Sequence, residues 1–142
     1  MPESSPLRAN TKYLIDTNII SELMRKAPDA KVLQWFETQA QPTLSALSVD
    51  EICYGLKRKP NAGQTALFET LLAHSTVLPI NADVAKRAGE TRAELAMQGQ
   101  SRSEYDMLIA ASAYVTGRVI ATRNVRDFVG TGVAVFNPYS PA

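Results

Sequence analysis

Lys12-Tyr13-Leu14-Ile15-Asp16-Thr17-Asn18-Ile19-Ile20-Ser21-Glu22-Leu23-Met24 changes its periodicity partway along. Residues 12–15 form a short strand-like run. Asp16, Thr17 and Asn18 are residues that favour helix caps, and Ile19, Ile20, Leu23 and Met24 then recur at helical spacing. The same alternation continues through the chain. Pro28 breaks the first helix, and Asp29 caps a second in which Val32, Leu33 and Phe36 share a face. Residues 43–47 read as extended. Ser48 then opens a helix, with Glu51 at capping-box spacing, and Pro60 stops it. A helix over about 64–73, a strand over 77–80 and a long helix from the Asn81 cap to Gly99 follow. The run 105–116 is nearly continuously apolar and ends at Gly117, a good C-terminal stop. Residues 118–122 read as a strand, 124–128 as a helical turn and 133–136 as a last strand. This predicts a single α/β domain with a mainly parallel central sheet flanked by helices. In such folds functional groups gather beyond the carboxyl ends of the strands. That rule selects Asp16, after the first strand, and Thr122-Arg123-Asn124, after the penultimate one.

The 142 residues fit one domain, which at this size buries roughly 70% of its unfolded surface and needs no disulfide or metal to fold. Residues 1–10 are polar, contain two prolines and lack the apolar core of a signal peptide. They are expected to be a flexible tail, leaving 11–142 as the domain. No run approaches the ~18 apolar residues of a membrane span, and a lone thiol suits a reducing compartment, so a cytoplasmic protein is expected. A net charge of +1 gives no global basic field, so a phosphate-bearing partner must be held by a local patch. Cys53 is the only cysteine and His74 the only histidine. Cysteine-based metal sites are excluded, and a serine-type triad has one possible base. His74 itself reads as an ordinary helix residue. The chemistry therefore falls to carboxylates.

Most of the fourteen acids read as surface charge, including Glu22, Glu37, Glu69, Glu90 and Glu94 on helix faces. Asp16 stands between an apolar strand and an apolar helix, either as an N-cap or as a functional acid. Glu51 either closes a capping box with Ser48 or serves a site. Asp106 lies in the first turn of the most hydrophobic helix, where the dipole favours its charge but desolvation demands a partner. Asp127 or Asn124 can point back toward the strand ends, and Asp127 can equally pair with Arg123 or Arg126. Acids that converged in a cleft would repel, and a divalent cation relieves that penalty. Oxygen donors with retained waters suit Mg²⁺, with Mn²⁺ as a substitute. Such an ion activates water for phosphodiester hydrolysis without histidine.

Four segments in order carry a resemblance: Tyr13 to Glu22, Ser48 to Gly55, Asp106 to Ala113, and Val119 to Phe128, with Val133 to Pro138 as a matching ending. Together they resemble the PIN-domain family, specifically the VapC/FitB-type toxins of bacterial toxin–antitoxin pairs. The resemblance covers everything after the N-terminal tail. It implies that Asp16, Glu51 and Asp106 are metal-site acids of a Mg²⁺-dependent endoribonuclease toxin, with Asp16 and Asp106 as direct ligands. It also implies a homodimer, a cognate antitoxin that blocks the cleft, and operator DNA contacted through that antitoxin. The family's fourth acid falls at Asn124, a departure that removes one negative charge. Asp127, three residues on and on the same side of a helical turn, is expected to fill the role.

Thr17, Asn18 and Thr122 can orient Asp16 or a metal-bound water, or simply cap helices. Arg102, Arg123 and Arg126 can hold RNA phosphates or be ordinary surface arginines. Trp35 and Phe36 can serve an interface or, for Phe36 above all, the core. A haloacid-dehalogenase-type phosphatase needs a second aspartate where Asn18 stands, and no phosphate-binding Gly-Lys loop supports nucleotide chemistry. The alternative that remains is a catalytically weakened PIN-like module that binds RNA or its antitoxin without cleavage.

Overall fold

The computed structural model describes residues 10–139, so the tail expected over 1–10 lies outside the described residues apart from Asn10. Five strands alternate with six helices: β1 (Tyr13–Ile15), α1 (Thr17–Leu23), α2 (Ala30–Phe36), β2 (Thr43–Ser45), α3 (Ala46–Arg58) and α4 (Ala62–Ala73) come first. β3 (Thr76–Leu78), α5 (Ala82–Met97), α6 (Glu104–Thr116), β4 (Val119–Ala121), a 3-10 turn (Val125–Phe128) and β5 (Val135–Phe136) complete the order. Every strand pair is parallel, in the order β3-β2-β1-β4-β5. Parallel neighbours cannot be joined by a hairpin, which is why helices separate most of the strands. The chain builds β2 and β3 on one side of β1 and β4 and β5 on the other, so the topology switches direction at β1. That switch leaves a crevice at the carboxyl end of β1, where Asp16 sits.

Successive strand residues face opposite sides of the sheet, and β1 shows the consequence. Ile15 packs with Ile19, Ile20, Val32, Leu44, Ile52 and Phe68 under α1 to α4. Leu14 packs with Ile109, Ala113, Ile120 and Phe128 under α6 and the 3-10 turn. A third cluster, including Val84, Leu95 and Met107, joins α5 to α6. The apolar 105–116 run is thus a helix gripped on two sides. Gly117 ends it at φ +67°, a left-handed conformation that glycine adopts without a Cβ penalty. Among the described residues no helix is long and apolar enough to cross a membrane.

Asp16, Asp29 and Asn81 cap their helices as the sequence predicts. Ser48 does not. The helix begins three residues earlier, with Ser45 accepting the Leu47 N–H at 3.0 Å, so the strand expected over 43–47 stops at Ser45. Hydrophobic burial of Leu44 and Ile52 fixes this phase, and Ser48 lands inside the helix, fully buried. Replacing Ser45 by alanine is expected to cost about 1 kcal/mol in a denaturant titration. An unchanged midpoint would return the cap to Ser48.

Glu22 also departs from its surface reading, being only 5% exposed. Its carboxylate accepts the Asp29 N–H at 2.8 Å, the Tyr139 hydroxyl at 3.2 Å and Arg25 at 3.2 Å. Tyr139 comes from the chain beyond β5, a neighbour that helical periodicity cannot reveal. Trp35 and Phe36 both pack at the margin of the first core cluster, and His74 stays exposed with its ring on the Thr70 carbonyl.

Candidate active site

Asp16 leaves β1 in extended conformation, φ −71° and ψ 156°, while its N–H is held by Ala121 of β4 at 2.9 Å. Capping and site duty coexist in this side chain. Oδ1 accepts the Thr17 N–H at 2.8 Å, and Oδ2 accepts the Thr122 hydroxyl at 2.9 Å and the Asn18 amide at 3.2 Å. Asn18 Oδ1 in turn accepts the Arg123 N–H at 3.1 Å, and Thr122 Oγ1 accepts the Asn124 N–H at 3.0 Å. Thr122 is fully buried, so the loop after β4 is tied to the loop after β1 by a desolvated polar network. These bonds fix the Asp16 rotamer before anything binds.

Asp106 enters from the other side. Ser103 caps α6 by accepting the Asp106 N–H at 3.0 Å, which sets the carboxylate in the first turn, half-buried. Glu51 stands one turn beyond Ser48 on α3, exposed to the cleft side with Thr17 and Ser21. With Ser45 as the cap, Glu51 has no reciprocal partner at the helix start, and its carboxylate instead meets the Tyr105 hydroxyl. Thr17 Oγ1 donates to Ser48 Oγ at 2.8 Å and meets the Tyr105 hydroxyl at 2.5 Å. This hydroxyl chain links α1, α3 and α6 at the base of the cleft.

The charges act on one another. Burial raises the Asp16 carboxyl above its ordinary value against the pull of its hydrogen bonds, and Asp106 and Glu51 raise it further. Burial likewise raises Asp106, and the Asp127 and Glu51 charges add to that while Ser103 and Arg102 oppose it. Burial lifts the Tyr105 hydroxyl to about 12, so it stays protonated and able to donate. Of the five sequence candidates, Asp106 and Glu51 thus act on Asp16, and Asp127 and Glu51 act on Asp106. Asn124 sits beside them, exposed, with its backbone on Thr122 and no side-chain cap bond. Arg102 holds the Asp127 carbonyl at 2.9 Å, and Arg123 lies over the Tyr139 ring. Neither is a loose surface charge.

Among the described residues no three His, Cys, Asp or Glu side chains stand close enough together to hold a metal ion by themselves. An oxygen-liganded divalent ion needs only one or two carboxylates when waters and substrate phosphate oxygens complete its shell. The donors are hard oxygens, and burial first, with the neighbouring acids adding to it, raises the Asp16 and Asp106 carboxyls. The residues fit a divalent cation. Sequence reading missed Ser48 and Tyr105 as parts of the site. Ser48 was masked by its capping-box spacing, and the only signal for Tyr105 was its place beside Asp106.

The chain belongs to the PIN domain family, whose model matches residues 13–131. Within it the chain falls among the VapC/FitB-type toxins. It is 33% identical to the VapC ribonuclease Y4jK of Sinorhizobium fredii over 138 residues, covering 91% of this chain and 99% of that protein. The crystal structure of FitAcB from Neisseria gonorrhoeae superposes with a TM-score of 0.80 at 31% identity, over 89% of this chain and 97% of the other. A toxin-antitoxin complex from Klebsiella pneumoniae matches with a TM-score of 0.73 at 25% identity, over 92% and 100%.

Proposed function

We propose that this chain is a divalent-metal-dependent endoribonuclease, the toxin of a type II toxin–antitoxin pair, with Mg²⁺ as its working ion and Mn²⁺ able to replace it. The observation that carries this reading is the chain of acids beyond β1, where the charges of Asp106 and Glu51 act on Asp16 and those of Asp127 and Glu51 act on Asp106. Metal dependence is general among PIN domains, and the named relative is a ribonuclease. When bound, the ion lowers the pKa of a water and stabilises charge developing on the phosphoryl group. Asp16 and Asp106 are its direct ligands. Thr122 and Asn18 hold Asp16 in place, and Glu51 orients a water at the cleft. Asp127 supplies the fourth negative charge that Asn124 lacks.

The substrate is RNA, and selection among RNAs depends on groove shape and unpaired bases. A cognate antitoxin covers the cleft, contacts operator DNA on the toxin's behalf and binds a homodimer of this chain in the cytoplasm. The test is cleavage of a structured RNA with Mg²⁺ and with EDTA. Cutting is expected only with the metal, and folded, antitoxin-free protein that binds Mn²⁺ without cutting any RNA would turn the reading into that of a binding module. Asp127→Ala is expected to weaken Mn²⁺ binding and turnover more than Asn124→Ala does. The opposite order would assign the fourth position to Asn124.

A further inference from the structure

A groove of about 790 Å³ lies on the β5 side of the sheet, bounded by α2 and by the residues that precede β1 and β4. Lys12 and Arg118, immediately before those strands, line it together with Lys31 of α2. None of the three makes an ion pair among the described residues, and no described residue lining the groove is acidic. Arg118 is partly exposed, but its Nε is buried without a hydrogen-bond partner, which leaves the desolvation of that one donor uncompensated. A nearby anion offsets that cost electrostatically. This is a local positive field in a chain whose net charge is only +1.

The apolar lining is a separate observation. It consists of rings, Trp35, Phe136 and Tyr139 beside the buried Tyr13, with Pro138 and Ala40 and without Leu, Ile, Val or Met. Tyr13 packs edge-on to Trp35 at 5.1 Å and against Phe136 at 5.7 Å, which holds both rings in place. A docked protein helix seeks aliphatic pockets for its apolar face. Planar rings beside cations and the amides of Gln34, Gln39 and Asn137 match the stacking faces, phosphates and edges of unpaired bases. At its Tyr139 end the groove approaches the loops that follow β1 and β4. The Tyr139 hydroxyl lies 3.5 Å from the Asn18 carbonyl, and the Arg123 guanidinium sits 4.5 Å from the Tyr139 ring centre.

We propose that this groove is a subsite for the single-stranded RNA that flanks the cleaved segment, with bases on Trp35 and Phe136 and phosphates at Lys31 and, at the amino ends of β1 and β4, at Lys12 and Arg118. The identity of the ligand as substrate rests on the nuclease reading, and the test separates the two. Trp35 is the only tryptophan, so its fluorescence reports on this groove alone. A short single-stranded RNA titrated into the full chain in EDTA is expected to quench that emission. Lys12→Gln with Lys31→Gln, both at exposed positions, is expected to weaken RNA binding about tenfold and to reduce the salt slope by about 1.4. Arg118→Gln is expected to act in the same direction.

RNA that binds without changing Trp35 emission and ignores the double variant would overturn the subsite while leaving the nuclease intact. Quenching by polyglutamate as strong as by RNA would overturn it in favour of an acidic protein partner. Quenching by inorganic polyphosphate as strong as by RNA would overturn the role of the bases. The nuclease reading fails separately, if metal-dependent cleavage is missing while EDTA binding and quenching persist.

Discussion

Asp106→Asn is expected to lower metal-dependent RNA cleavage about a thousandfold while the protein stays folded. The substitution keeps the side-chain volume and removes the charge, so α6 retains its Ser103 cap and its packing on the sheet. On the proposed function the loss is one metal-holding carboxylate, and the several kcal/mol of transition-state stabilisation that a correctly held ion would supply convert to a factor of this size. The stability of the same variant moves the other way. Folded Asp106 holds its proton more tightly than an ordinary carboxyl, through burial first and then the Asp127 and Glu51 charges. Such a group is stabilising when protonated, and that contribution disappears as pH rises through its folded value. In EDTA at neutral pH the wild type therefore carries a penalty that asparagine removes, and Asp106→Asn is expected to melt higher. Below the ordinary carboxyl value, near pH 3.5, the two melting temperatures should converge. A variant as active as the wild type would move the site elsewhere, and one that melts lower at neutral pH would make Asp106 structural.

Glu22→Ala is expected to destabilise the fold by about 2–3 kcal/mol, lowering the melting temperature by roughly 5–10 °C. The cost comes from the Asp29 N–H and the Tyr139 hydroxyl, which lose their acceptor in a site where Glu22 itself is 5% exposed. Arg25 adds little because its side chain is 65% exposed and screened by water. Burial alone would raise the Glu22 carboxyl, yet the bonds from Asp29, Arg25 and Tyr139 outweigh it and hold the group below its ordinary value. A lowered carboxyl contributes stability above its unfolded value and loses it as pH falls through the folded one. The gap between wild type and variant should thus be full at pH 7 and close in acid. A gap independent of pH would mean that lost packing, not the charge network, is responsible.

The contrast between Glu22 and Asp106 shows how far local pattern reaches. Asp106 announces itself because a carboxylate inside an apolar helix is anomalous within its own segment. Glu22 lies on an amphipathic helix like any surface acid, and what buries it is Tyr139, more than a hundred residues away in sequence. Ser48 fails for a related reason. Its spacing to Glu51 satisfies a capping box, but Ser45 satisfies the helix start as well, and only the burial of Leu44 and Ile52 chooses between them. The hydroxyl chain from Tyr105 through Thr17 to Ser48 follows from that choice.

By itself the sequence determined the alternation of strands and helices, the Asp16, Asp29 and Asn81 caps, the Gly117 stop and the reliance on carboxylates. Each of these depends on interactions within a few residues, or on what the composition lacks. Tertiary structure alone decided that β1 is the switch point, that Asp16 and Thr122 share a hydrogen bond, that the charge of Asp127 reaches Asp106, and that unpaired cations line a ring-walled groove. Those relations join residues about twenty to over a hundred positions apart. Their energies arise from desolvation and Coulombic interaction through space, which no window along the chain contains.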